Sequence, residues 1–286
     1  MIHFRNDYSA GAHPAVMDAL MASNLALTAG YGLDPYCAAA ADTIRDLCAA
    51  PEAEVHFLVG GTQVNKTAIA AFLRPYEAVI AADTAHICCH ETGAIEADGH
   101  RIISCPTVVP RLVYISNTTE LGTVYSREEL QALRAACGQL GLYLYCDGAR
   151  LGSALTTAEA GLDFAACAAL CDAFTIGGTK NGLLFGEALV ITAPALQPGF
   201  RHCMKRQGAI LAKGRLLGVQ FSALLEKGLY LELAAHANAL ARSLTAGLRT
   251  LGVPLLVDSP SNQVFPILPD AVVAALAEDF TFEVQQ

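Results

Sequence analysis

Seven short apolar runs alternate along this chain with stretches of helical periodicity, and most of the runs stop at a polar or glycine-rich turn. They cover 54–59, 79–82, 100–104, 111–116, 142–146, 171–176 and 187–192. Strand-length apolar runs separated by helices are the pattern of a parallel sheet covered on both faces. The expected fold is therefore α/β, a doubly wound and mostly parallel sheet in a large domain, followed by a small α+β unit. The chain is expected to divide into 1–225 and 226–286. In such a sheet the ligand crevice lies beyond the carboxyl ends of the strands, so the residues just past each run carry the argument.

Composition narrows the classes further. Of 286 residues 53% are hydrophobic and 16% charged, which permits a large core and argues against disorder. So little charge implies much hidden surface, and a homo-oligomer, dimer or tetramer, is expected. A net charge of −9 with no basic stripe argues against nucleic acid as a partner. Ten cysteines without paired CxxC spacing read as buried thiols of a reducing compartment. No signal peptide is legible at the start, and no uninterrupted apolar run is long enough for a bilayer. A cytoplasmic protein that uses no membrane is expected.

Residues 1–10 form an arm with Arg5, Asn6 and Asp7, and a helix starts at His13-Pro14. The turn-rich loop from Thr28 to Pro35 contains Tyr31, and Asp34 is placed to cap the next helix. Gly60, Gly61 and Thr62 lead from a strand into a helix, a place where backbone N–H groups and the positive helix end suit a phosphate. An ordinary capped helix start explains the same residues. His86 stands just past the next strand, positioned to stack on a planar ligand; His90 reads as packed, and no metal site is expected. The link from Cys105 to Pro110 is very short for parallel neighbours, so the two flanking strands pair unusually or a segment is missing. Ser126 and Glu129 form a capping box.

Asp147-Gly148-Ala149-Arg150 closes one strand, and Lys180 follows another on the loop Gly177 to Gly182. A carboxylate at a strand end can hold a cationic ring nitrogen, although a helix cap beside a solvated arginine is the commoner use of such residues. A partly buried lysine sheds its proton easily and can form a Schiff base with an aldehyde, although a solvated loop lysine is the plainer reading. Residues 206–251 read as one long helical region, and 253–286 as short strands around a helix. A phosphate seat, a carboxylate, a reactive lysine and a stacking histidine at neighbouring strand ends together suit pyridoxal 5′-phosphate. Arg150 can clamp a substrate carboxylate through two parallel hydrogen bonds.

At this point the chain resembles the threonine aldolases. Arg5-Asn6-Asp7, the Tyr31 to Pro35 loop, Gly61-Thr62-Gln63, His86, Asp147 to Arg150 and Lys180 follow in that family's order and at about its spacing. They belong to the β-eliminating lyases, whose aspartate-aminotransferase-like architecture is called fold type I. The resemblance implies Lys180 as the Schiff-base and catalytic lysine, Asp147 at the pyridine nitrogen, and His86 as a stacking and catalytic residue. It implies Gly61 and Thr62 at the phosphate, and Arg206 reaching a neighbouring subunit's phosphate. Arg150 and Asn6 would meet the substrate carboxylate, with Tyr31 lining the pocket. Homotetramers are implied as well. Two departures stand out. Thr119 occupies the turn where many members have a histidine, and the chain ends at Gln286, before the region of a second carboxylate-binding arginine. The C-terminal unit is therefore expected to be truncated. The implied activity is Cα–Cβ cleavage of β-hydroxy-α-amino acids. β-Elimination, or a PLP-fold binding subunit without catalysis, are the rival readings.

Overall fold

The computed structural model describes residues 2–103 and 109–284. Nine strands are present among them: β1 (Ile2–His3), β2 (Glu54–Leu58), β3 (Glu77–Ile80), β4 (Arg101–Ile102), β5 (Val109–Ser116), β6 (Tyr143–Asp147), β7 (Ala173–Gly177), β8 (Glu187–Ile191) and β9 (Phe280–Thr281). Seven of them form the main sheet, in the order β2-β8-β7-β6-β5-β3-β4. Every neighbouring pair in it is parallel except the two made by β8, which runs against both β2 and β7. That strand follows the lysine loop directly, and a short return can only be antiparallel.

Eleven α-helices accompany the strands. The first group is α1 (Pro14–Ser23), α2 (Pro35–Leu47), α3 (Gly61–Phe72) and α4 (His86–Cys89). Then come α5 (Arg127–Leu140), α6 (Leu151–Leu155), α7 (Phe164–Leu170) and α8 (Phe200–Arg206). The last are α9 (Arg215–Leu225), α10 (Leu229–Thr250) and α11 (Asp270–Leu276). Their starts follow from local chemistry. Asp34 Oδ1 accepts from the Cys37 N–H at 2.9 Å with Pro35 in the first turn of α2. Ser126 and Glu129 close a full capping box on α5.

The sheet is covered on both faces because its strands are apolar on both. Ala188 and Val190 of β8 join Phe174, Leu144, Ile44 and Phe221 in one core, against α2, α5, α7 and α9. Leu189 and Ile191 point the other way and join Leu58, Ile69, Tyr145 and Phe200 against α3 and α8. Strand alternation thus divides one run between two cores.

Three expectations need correction. The region 206–251 is not one helix. Residues 207–214 form a non-helical connection between α8 and α9, and a second break falls where Lys227 and Gly228 take φ of 55° and 79°. The two strands flanking the short link do not pair with each other; β4 and β5 lie on either side of β3. Residues 104–108 of that link lie outside the described residues. The cysteines are not uniformly buried, since Cys88 and Cys89 are exposed and Cys203 is intermediate. In the C-terminal region, β9 pairs in parallel with β1 (Ile2↔Phe280, His3↔Thr281), so the first strand and the last lie side by side. No helix among the described residues is long and apolar enough to cross a membrane.

Candidate active site

The strand registers bring several chain segments to one edge of the sheet. Leu58 pairs with Glu187, Glu187 with Gly177, and Ser116 with Asp147. The turn into α3, the lysine loop and the Asp147 turn therefore leave the sheet side by side. Gly148 makes the last of these possible. Its backbone runs so close to β7 that a Cβ there would stand 2.0 Å from the Thr175 carbonyl oxygen. The Gly148 N–H donates to Thr175 Oγ1 at 2.7 Å. Gly182 has φ of +101°, which only glycine adopts readily, and it turns the lysine loop back toward β8. That loop is closed by Gly178 and Thr179 N–H groups donating to the Gly186 carbonyl.

Asp147 is buried and held by three donors. The Tyr114 hydroxyl donates to Oδ2 at 2.6 Å, Asn65 Nδ2 to the same oxygen at 2.8 Å, and the Ala149 N–H to Oδ1 at 2.9 Å. Burial, then the charge of Asp147, pushes the Tyr114 phenol well above its ordinary range, so it remains a donor. Asn65 is oriented by Tyr145, whose hydroxyl donates to its Oδ1 at 2.9 Å. The same amide reaches Glu91 Oε1 at 2.8 Å, and His86 Nδ1 lies 2.9 Å from that oxygen. A continuous polar chain thus runs from Asp147 through Asn65 and Glu91 to His86.

Lys180 and Arg150 line one cavity of about 270 Å³ together with Asp7, His13, Ser153 and Asn262. The Lys180 amine lies 5.8 Å from the centre of the Tyr8 ring. Burial and then the positive charge of Arg150 lower its pKa, against the opposing charges of Asp7, Asp147 and Glu187. Glu187 lies behind the loop, buried, with Oε2 lacking a hydrogen-bond partner among the described residues. Desolvation and then the charge of Asp147 push its carboxyl up to about 8.

The remaining candidates do not line that cavity. Gly61 and Thr62 open α3, where the preceding Gly60 offers no side chain to cap the helix. Asn6 accepts from the Tyr8 N–H and Ser9 hydroxyl, and its Nδ2 reaches Glu283 at 3.3 Å. Tyr31 lines a second hollow of about 310 Å³ with Asp34, His56 and Arg201. The Arg206 side chain hydrogen-bonds only to Cys203 Sγ, at 3.7 Å, among the described residues. Thr119 Oγ1 is engaged within its own turn by Thr123.

The sequence pattern of the β-eliminating lyases matches residues 3–109 and 100–271. A low specificity L-threonine aldolase of Pseudomonas aeruginosa is 32% identical over 96% of this chain and 86% of its own length. The chain belongs to the β-eliminating lyase family. Among solved structures, a Leishmania major threonine aldolase superposes with a TM-score of 0.96 at 47% identity, over 98% of this chain and 89% of that one. An aspartate aminotransferase of Thermus thermophilus shares the fold, with a TM-score of 0.69 at 17% identity. β-Eliminating lyases work with pyridoxal 5′-phosphate. The residues present fit that group. An uncapped helix start faces the same sheet edge as a deprotonation-prone amine and a carboxylate fixed by three donors.

Asn65, Tyr114, Glu91, Asn262 and Glu187 escaped the sequence reading, and Asp7 is marked there only as part of the arm, with no role. A polar residue on the inner side of α3 and a lone carboxylate at the head of the apolar β8 run were the available signals.

Proposed function

We propose that this protein is a PLP-dependent lyase that cleaves the Cα–Cβ bond of β-hydroxy-α-amino acids, taking threonine or allo-threonine to glycine and acetaldehyde. The observation that carries this reading is the single cavity holding the Lys180 amine beside the Arg150 guanidinium. Relatives named for threonine and allo-threonine cleavage support it. When bound, the cofactor offers an aldehyde to amines and a ring that draws electrons from the bonds at the amino acid's α carbon. Lys180 supplies the amine that holds it and, having a lowered pKa, takes and returns a proton easily at Nζ. Asp147 is assigned to the ring nitrogen, Gly61 and Thr62 to the phosphate, and His86 to one face of the ring. Arg150 is assigned to the substrate's carboxylate.

We assign Tyr31 and Arg206, which lie away from this chain's own cavity, to the site of a neighbouring copy in a homo-oligomer. Leu25, Leu27 and Leu33, exposed close to Tyr31, favour burial between copies. The proposal includes a cytoplasmic setting and a division into 1–225 and 226–286 near the break at Lys227. Its test is direct. Purified protein given PLP should turn yellow and release glycine and acetaldehyde from threonine, and Lys180→Ala should do neither. 2-Oxobutanoate and ammonia instead would establish the eliminating reaction.

A further inference from the structure

We propose that Asp7 is the positioning residue of Arg150: its carboxylate occupies one edge of the guanidinium so that the other edge meets the carboxylate of the amino-acid substrate. This rests on the lyase reading above. A guanidinium is planar, carries five N–H donors, and can receive a carboxylate along either of two edges. Asp7 takes the side edge, with Nε to Oδ2 at 2.6 Å and Nη2 to Oδ1 at 3.1 Å. Nη1 donates to no protein acceptor among the described residues, which leaves the end edge for a second anion. Arg150 lines the cavity that also holds Lys180.

Asp7 is itself fixed. Asn262 donates Nδ2 to its Oδ2 at 3.1 Å. The Asp7 side chain is 16% exposed and that of Arg150 20%. Burial raises the Asp7 carboxyl, but the charge and hydrogen bonds of Arg150 outweigh that, with smaller contributions from Lys180 and Asn262. The net position is below the ordinary carboxylate range, and Asp7 is a permanent anion at neutral pH. An arginine on a long stem samples many rotamers, and a two-point contact on the side edge leaves the end edge aimed in one direction. Three distant segments meet at this ion pair: the arm that holds Asp7, the β6 turn that holds Arg150, and the C-terminal region, where Asn262 donates to Asp7. The β1–β9 pair joins the arm to the C-terminal region a second time.

The test uses the PLP-loaded protein and compares wild type with Asp7→Asn and Asp7→Ala. Glycine and glycinamide are titrated while the visible spectrum is followed. Both offer the same amine, and only glycine has the carboxylate. The expected result is a loss of at least 10-fold in glycine affinity, with glycinamide affinity within 2-fold and PLP content unchanged. Asn262→Ala, which leaves both ionic partners in place, should show the same selectivity with a loss of about 3-fold, and it serves if the Asp7 variants do not fold. Equal losses for the two ligands, or loss of PLP, would overturn the proposal in favour of a general structural role. Glycine binding unchanged or tighter would also overturn it, making Asp7 a competitor of the substrate. If wild type binds PLP but shows no response to glycine, the lyase reading itself fails and takes this proposal with it.

Discussion

Glu187 makes the stability of the cofactor-free protein depend on pH. Its folded-state pKa of about 8 stands above the ordinary 4.5. Between those values the native state holds a proton that the unfolded chain has released, so stability is full below pH 4.5 and declines as the pH rises toward 8. The shift caps the loss at about 5 kcal/mol. Glu187→Gln should flatten this slope, and urea midpoints of the cofactor-free protein at pH 5 and pH 8 will measure it. Tyr114→Phe removes a 2.6 Å hydrogen bond to Asp147 and leaves that carboxylate with two donors. We expect about 1–3 kcal/mol of destabilisation and weaker PLP retention, read by chemical denaturation and by absorbance after dialysis. The reactive groups at strand ends were legible because strand, turn and polar residue follow one another in the chain. Their supports were not. Tyr114 lies inside an apolar run and Asn65 inside a helix, and each reaches Asp147 only once β5, β6 and α3 have packed.

Elements whose limits are set by local chemistry were the readable ones. Pro14, Pro35 and the Ser126–Glu129 box mark helix starts through groups within three residues of one another. The central helical region was misjudged because its apolar spacing continues across breaks that depend on backbone angles at Lys227 and Gly228. Sheet order was hidden too, since β4 and β5 are consecutive in sequence yet separated by β3. The junction of β6 with β7 gives an element-scale prediction. Gly148→Ala would press a methyl group onto the Thr175 carbonyl, and with 2.0 Å available the strands must part. We expect a loss of more than about 3 kcal/mol and no PLP binding, measured by thermal unfolding and by absorbance.

At the scale of the whole molecule, the ends of the chain support the cavity from outside it. The β1–β9 pair and the Asn6–Glu283 contact fasten the arm that supplies Asp7. Removing 280–286 should leave PLP binding intact while weakening glycine binding several-fold in the same spectral titration. The thiols are distributed just as unevenly. Those at Cys37, Cys48, Cys137, Cys146, Cys167 and Cys171 are buried, while Cys88 and Cys89 stand in the open, within one helical turn that His86 begins. Burial and then the neighbouring Cys89 raise the Cys88 thiol, so alkylation is slow at neutral pH and quickens in mild base. A maleimide fluorophore should therefore attach at this pair before the interior, giving an optical reporter of coenzyme loading beside His86 that alters no cavity residue.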